Sequence, residues 1–159
     1  MKKRIIIFGM IAVFWCGVIF FLSSENSGES SARSGRIITA ICETFVPGYE
    51  NYTESEKNEL KADLSFAVRK AAHFTAYAIL GALLFQLFYL FKNLWLRSVL
   101  AILCAFAYAA SDEIHQSFVP GRSCEFRDML IDTGGAALAV LISLLIIHLK
   151  SKRKRQKTA

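Results

Sequence analysis

Apolar residues occur in four long segments of the chain, and each segment is nearly free of charge. They cover residues 5–22, 71–91, 94–110 and 129–149. A helix needs about 20 mostly apolar residues to cross a bilayer. The pattern therefore predicts an all-α fold, a polytopic membrane helical bundle with four transmembrane helices.

The connection between the first two apolar segments, residues 23–70, is too long for a bare loop. Residues 23–35 are rich in Ser, Gly and Asn, so we expect them to be irregular. Apolar residues then recur at helical spacing over residues 37–45 and end before Pro47-Gly48. This stretch predicts a short amphipathic helix that lies on or in the outer interface of the bilayer.

A second helix in this connection has a recognisable start. Thr53 and Glu56 have the spacing of a capping box, and apolar residues follow on one helical face. A helix that starts near Thr53 can continue directly into the second apolar segment. The sequence thus predicts one or two outer amphipathic helices beside the four spanning helices.

The fourth segment has a face of small residues. Asp128, Asp132, Gly135 and Ala139 share one side of the predicted helix. Beyond its carboxylates this face allows close approach of a neighbouring helix. Packing accounts for the glycine and alanine, but it does not account for two aspartates.

The distribution of charge orients the bundle. Residues 1–4, residues 92–97 and the tail, residues 150–159, together hold 11 of the 19 basic residues and no carboxylate. The connections at 23–70 and 111–128 hold the other 8 basic residues and 12 of the 13 acidic ones. Basic loops stay in the cytoplasm. We therefore predict a multi-pass membrane protein with both termini and the basic tail in the cytoplasm.

The composition and net charge of the chain indicate which kind of partner it binds. A content of 54% hydrophobic residues excludes an ordinary soluble domain. The net charge of +6 follows from the loop asymmetry and from the tail, which anionic membrane lipid attracts. No zinc finger, aromatic stacking pattern or other basic helix supports nucleic acid as a partner. Membrane lipid is the predicted partner.

Ionisable residues gather at the predicted outer ends of the last three segments. Such groups at a bilayer boundary cost free energy and indicate a functional site. The candidate site residues are Lys70, His73, Tyr77, Asp112, Glu113, His115, Gln116, Arg122, Asp128 and Asp132.

Three interpretations of these residues remain open. The first is a structural network that ties the helix ends together, because buried ion pairs can fix register without adding stability. The second is a binding site for a polar ligand, lined also by His73, Tyr77, Asp128 and Asp132. In that case Lys70, Arg122 and the amide of Gln116 donate to an anionic or peptidic group.

The third interpretation is catalysis. His115, or else His73, would act as a general base, with Asp112 or Glu113 orienting it. Histidines and carboxylates could also supply metal ligands. However, HExxH is absent and Glu113-x-His115 is not a known metal spacing. We therefore assign no metal and no cofactor from the sequence.

The four cysteines form no motif. Cys42 and Cys124 both fall on the predicted outer side, where a disulfide could form. Nothing in the sequence brings them together, so free thiols are favoured.

Three blocks of sequence resemble those of a known family. They are residues 21–25 after the first segment, residues 69–81 in the second, and residues 111–122 after the third, with Asp128 and Asp132 following. With these blocks the chain resembles the VanZ-like family of bacterial membrane proteins, named for an accessory teicoplanin-resistance protein.

The resemblance implies a multi-pass protein of the bacterial cytoplasmic membrane, and thus of the bacterial cell envelope. Some members lower susceptibility to glycopeptides, above all to the lipid-tailed teicoplanin, so a glycopeptide antibiotic or a cell-wall precursor is an expected partner. Our hypothesis is a VanZ-like membrane protein that acts through an outward-facing polar site. The alternatives are an acid/base enzyme acting on a lipid-linked or envelope substrate, and a structural or partner-binding membrane protein.

Overall fold

The computed structural model describes residues 2–158, and within them every regular element is helical. Two short 3-10 turns, Tyr49–Asn51 and Phe88–Leu90, lie between longer helices. The longer helices are α1 (Lys2–Ser23), α2 (Ser27–Phe45), α3 (Glu54–Leu87), α4 (Leu94–Gln116) and α5 (Phe126–Thr158).

Four of these helices, α1, α3, α4 and α5, are long and apolar enough to cross a membrane. Large apolar side chains cover the outside of the bundle, as Val13 and Phe14 of α1 do at 74% and 69% exposed. Lipid tails are as apolar as these side chains, so such a surface needs no protein partner in a bilayer. The predicted all-α bundle with four membrane-spanning helices is confirmed.

Helix α2 begins earlier than predicted. The Asn26 side chain accepts a hydrogen bond from the Glu29 backbone N–H at 2.9 Å, and the Glu29 carboxylate accepts one from the Asn26 N–H at 3.1 Å. Ser30 and Ser34 then face inward and are buried. The expectation that residues 23–35 are irregular was wrong. A local cap and buried small side chains outweigh the modest helix propensity of this stretch.

Helix α3 starts at the predicted cap. The Thr53 side chain accepts from the Glu56 N–H, and the Glu56 carboxylate accepts from the Thr53 N–H. The helix then continues without a break for 34 residues. That corresponds to about 50 Å at 1.5 Å per residue, against about 30 Å for the hydrocarbon core. Its first turns therefore extend past the bilayer, as the sequence predicted.

Helix α2 packs against those first turns of α3. Ile38, Cys42 and Tyr49 are buried in this contact. Cys42 is a free thiol inside it, and Cys124 is a free thiol exposed elsewhere. The preference for free thiols at these two positions agrees with the structure.

Helices α4 and α5 are longer than their apolar segments. Helix α4 continues to Gln116, which places Asp112, Glu113 and Gln116 on a buried helical face. Helix α5 continues to Thr158, so the basic tail extends the last helix. The bundle thus carries charged groups inside helices and not only in loops.

The N-terminus and the connection between α3 and α4 lie at the same end of the bundle. Arg4 donates to Gln86 Oε1 at 2.7 Å, and Arg97 donates to the same oxygen at 3.3 Å and to the Phe85 carbonyl at 2.5 Å. Helix α5 runs in the same direction as α3, so its C-terminal part also lies here. We call this the termini end, and the opposite end the site end.

Helices α3 and α5 approach each other closely. A Cβ atom added at Gly81 would lie 2.6 Å from the Ala136 Cα, and one at Gly135 would overlap the Phe74 carbonyl oxygen. Only a residue without a side chain allows the backbones to pack at this distance. The predicted close approach of a neighbour at Gly135 is confirmed, and the neighbour is α3.

This packing gives a direct test. We expect Gly135→Ala to destabilise the protein by about 1–3 kcal/mol, because the new methyl group overpacks the contact with Phe74. The matched control is Gly134→Ala, whose Cβ would lie 3.7 Å from a Phe74 ring carbon, an ordinary contact. Thermal unfolding in detergent should show a lower midpoint for Gly135→Ala only. Equal midpoints would contradict the close approach.

Candidate functional site

Polar side chains from four helices meet at the site end. Ser23 ends α1, Lys70 and His73 lie on α3, and Asp112 and Asp132 lie on α4 and α5. The parallel run of α3 and α5 places equivalent turns side by side. We call this group the polar cluster, and its members are Ser23, Lys70, His73, Tyr77, Asp112, Glu113, Gln116, Asp128 and Asp132.

Lys70 and Asp128 form an ion pair between α3 and α5, and both side chains are largely buried. A buried pair of this kind holds two helices in register. Lys70 was predicted to donate to a ligand, and that role stays a prediction. The pairing with Asp128 is a contact that the structural interpretation expects.

Asp112 ties α1 to α4. Its Oδ2 atom accepts from the Ser23 hydroxyl at 2.8 Å and from the Gln116 amide at 3.1 Å. Its Oδ1 atom is buried and has no hydrogen-bond partner. Sequence reasoning missed Ser23 as a site residue, although it lies in the conspicuous block at residues 21–25.

Glu113 positions the loop between α4 and α5. The side chain is 1% exposed and accepts from the Glu125 backbone N–H at 2.9 Å. In the same loop, the Arg122 guanidinium donates to Gln116 Oε1 at 2.8 Å. These contacts fix the loop where it enters α5.

His73 and Asp132 lie at the centre of the polar cluster. The His73 Nδ1 atom is 3.7 Å from Asp132 Oδ2, and Asp132 is 1% exposed. That carboxylate oxygen has no hydrogen-bond partner. His73, Asp112 and Asp132 each offer one possible ligand atom, and these three atoms lie within 4.8 Å of one another. The described part of the chain thus contains a compact group of an imidazole and two carboxylates.

His115 lies apart from this centre. Its Nε2 atom is 3.1 Å from the Ser24 hydroxyl, and its ring stacks on Phe20 with the centroids 4.3 Å apart. The contacts of His115 are therefore with α1 and the residue that follows it. His73, not His115, is the histidine placed beside buried carboxylates.

A cavity next to the polar cluster carries three arginines. Arg33 of α2, Arg69 of α3 and Arg122 of the α4–α5 loop line it together with His73. Arg33 pairs with Glu25, whereas the buried Nε atoms of Arg69 and Arg122 have no hydrogen-bond partner. Burial and the neighbouring charge of Arg69 lower the pKa of Arg122. We call this space the arginine cavity.

Arg33 and Arg69 were not among the predicted site residues. Arg69 stands next to Lys70 in the sequence block at residues 69–81, and that position could have identified it as a site residue. Arg33 lies in the stretch expected to be irregular, so no helical face placed it near the site.

An apolar groove continues from the arginine cavity. It runs along α1, α2 and α3, where Trp15, Ile41 and Ile79 form part of its walls. The groove and the cavity share the lining residues Ile19, Leu22, Ile37, Val68, Ala72 and Ala76. The arginine cavity and the apolar groove are therefore parts of one continuous surface.

A model of the VanZ/LLP1 family matches residues 8–147, which include every member of the polar cluster. The chain belongs to the VanZ/LLP1 family. Searches of curated proteins and of solved structures found no match. Family membership and four membrane-spanning helices together make this VanZ/LLP1 protein a multi-pass membrane protein.

The link between α1 and α4 in this VanZ/LLP1 protein gives a second test. We expect Ser23→Ala to lower the stability by about 1–3 kcal/mol, because a buried carboxylate loses one of its two donors. The matched control is Ser31→Ala, at an exposed position of α2, with an expected effect within about 0.5 kcal/mol. Thermal unfolding in detergent measures both. A Ser23→Ala variant as stable as Ser31→Ala would show that this hydrogen bond does not hold the helices together.

Proposed function

We propose that this protein binds a membrane amphiphile with an anionic headgroup at the outer face of the bacterial cytoplasmic membrane. The observation that carries the proposal is the continuity of the arginine cavity with the apolar groove. An amphiphile has a polar head and an apolar tail, and this surface offers a matching part to each.

The charges of the cavity favour an anion. Glu25 pairs with Arg33, and among the described lining residues no second carboxylate accompanies Arg69 and Arg122. Two guanidinium groups placed close together repel each other until an anion lies between them. Guanidinium also binds phosphate and carboxylate in a bidentate manner, which fits an envelope lipid headgroup.

The groove favours an acyl chain. Its lining is almost wholly apolar, and Thr75 contributes its hydroxyl to its own helix by donating to the Ala71 carbonyl. Trp15 likewise directs its indole N–H to the Ala76 carbonyl at 2.8 Å. Because these polar groups are hydrogen-bonded within the protein, the groove offers an apolar surface to the acyl chain of an amphiphile.

The outward orientation of the site is supported by the charge pattern. The basic regions at the N-terminus and around Arg97 lie together at the termini end, away from the arginine cavity. Basic segments of bacterial membrane proteins stay in the cytoplasm. The site end would then face the outside, where envelope precursors and antibiotics are encountered.

A lipid-selectivity experiment tests the binding proposal. The chain has two tryptophans, so Trp95→Phe leaves Trp15 in the groove as the sole reporter. In mixed bilayers, brominated phosphatidylglycerol should quench Trp15 fluorescence more than brominated phosphatidylcholine does. Arg69→Gln and Arg122→Gln should each reduce this preference by about tenfold, because a charge-assisted hydrogen bond contributes about 1.5–3 kcal/mol.

The matched control for these variants is Arg36→Gln. Arg36 is exposed on α2, one turn from Arg33, and it lies outside the arginine cavity. It should leave the preference for phosphatidylglycerol unchanged. Equal quenching by the two lipids in the parent protein, or the same loss in all three variants, would contradict an anion-selective cavity.

We further propose that this activity lowers susceptibility to glycopeptides, and to teicoplanin more than to vancomycin. Teicoplanin carries a lipid tail, so it reaches the membrane surface where the groove lies. The protein could act there on the tail of the drug or on the lipid-linked precursor that the drug binds.

Expression in a susceptible Gram-positive host tests this consequence. The minimal inhibitory concentration of teicoplanin should rise with the parent protein and return to the host value with the Arg69→Gln/Arg122→Gln double variant. The vancomycin value should change less. A host whose susceptibility to both drugs stays unchanged would exclude the resistance role, while the quenching experiment decides lipid binding separately.

A further inference from the structure

His73 lies beside two buried carboxylates, Asp112 and Asp132, and each of these has an oxygen without a hydrogen-bond partner. We propose that these three side chains bind a divalent transition-metal ion, Zn²⁺ or Mn²⁺. The proposal rests on their geometry and burial and goes beyond the binding of an amphiphile.

Charge is the first argument. Asp112 and Asp132 are 3% and 1% exposed, and each has a buried carboxylate oxygen without a hydrogen-bond partner. Lys70, the lysine of the polar cluster, is already paired with Asp128. Buried charges in proteins are paired or coordinate metals, because leaving them alone costs several kcal/mol. A divalent cation would neutralise both carboxylates at once.

The kind of donor atom is the second argument. An imidazole nitrogen with two carboxylate oxygens matches the ligand sets of Zn²⁺, and the carboxylates also suit Mn²⁺. Ca²⁺ and Mg²⁺ prefer sites built wholly of oxygen. Three protein ligands leave a coordination position free, as in zinc sites that also bind water or substrate.

Distance is the third argument. The three ligand atoms lie within 4.8 Å of one another. Metal–ligand bonds of about 2.1 Å in tetrahedral geometry require a spacing of about 3.4 Å between ligand atoms. The observed spacing exceeds this value by at most about 1.4 Å.

The surroundings hold the ligands in place. Ser23 and Gln116 donate to Asp112 Oδ2, which leaves Oδ1 available to a metal. Hydrogen bonds of this type orient metal ligands in other proteins. His73 also lines the arginine cavity, so a metal bound here would lie at the inner wall of that cavity.

Direct measurement of bound metal tests the site. The purified full-length protein in detergent is stripped with a chelator, equilibrated with Zn²⁺ or Mn²⁺, and freed of unbound ions. Elemental analysis should find one equivalent per chain for one of these metals. Asp132→Asn and His73→Gln should abolish the binding, because each removes a ligand.

Two matched controls make the same types of substitution, Asp to Asn and His to Gln, at positions away from the site. Asp63→Asn and His148→Gln change exposed residues of α3 and α5, and both should retain one equivalent of metal. The proposal is overturned if the parent protein retains no more of either metal than Asp132→Asn does. It is also overturned if the controls lose metal to the same extent as the site variants.

A second readout separates metal binding from simple misfolding. The metal should raise the unfolding temperature of the parent protein but not that of His73→Gln, since a ligand that binds only the folded state stabilises it. Without metal, Asp132→Asn should unfold at the same or a higher temperature than the parent, because it removes a buried charge. A metal-free Asp132→Asn protein that unfolds earlier, with no metal effect on the parent, would assign these residues a structural role only.

Discussion

The close approach of α3 and α5 is the constraint on which the rest of the site depends. Gly135 lets the α5 backbone lie against the Phe74 carbonyl, and the two helices run in the same direction. Successive turns of one helix therefore face successive turns of the other. Lys70 meets Asp128, and His73 meets Asp132 one turn further along. Side chains at either glycine contact would push the helices apart and separate both pairs.

The buried carboxylates show how the bundle accommodates charge in an apolar setting. Asp128 has a lysine, Glu113 has a backbone N–H, and Asp112 has a hydroxyl and an amide for one of its oxygens. Asp132 has His73 at 3.7 Å. Such a network is costly when partly satisfied, because an unpaired polar group in a low dielectric loses its hydration without compensation. The structural interpretation fits the outer pairs, whereas at the centre of the cluster Asp112 and Asp132 each keep one carboxylate oxygen without a hydrogen-bond partner.

The arginine cavity depends on a helix that the residue pattern did not suggest. Helix α2 contributes Arg33 and closes one side of the cavity, and its capping box at Asn26 and Glu29 starts it within the stretch expected to be irregular. The loop from Arg122 closes another side, because Glu113 holds that loop from within α4. Contacts far apart in sequence thus turn a set of helix ends into a concave site.

The residue pattern by itself determined the helical class, the four spans and the start of α3 at Thr53, because periodicity and caps are local properties of the chain. It also indicated most members of the polar cluster, since ionisable residues at the ends of apolar segments are conspicuous. Only the tertiary structure decided which side chains of the polar cluster contact one another. Ser23 reaches Asp112 across 89 residues of sequence, and His115 faces α1. Which side chains meet depends on how the helices pack, and no local spacing encodes that.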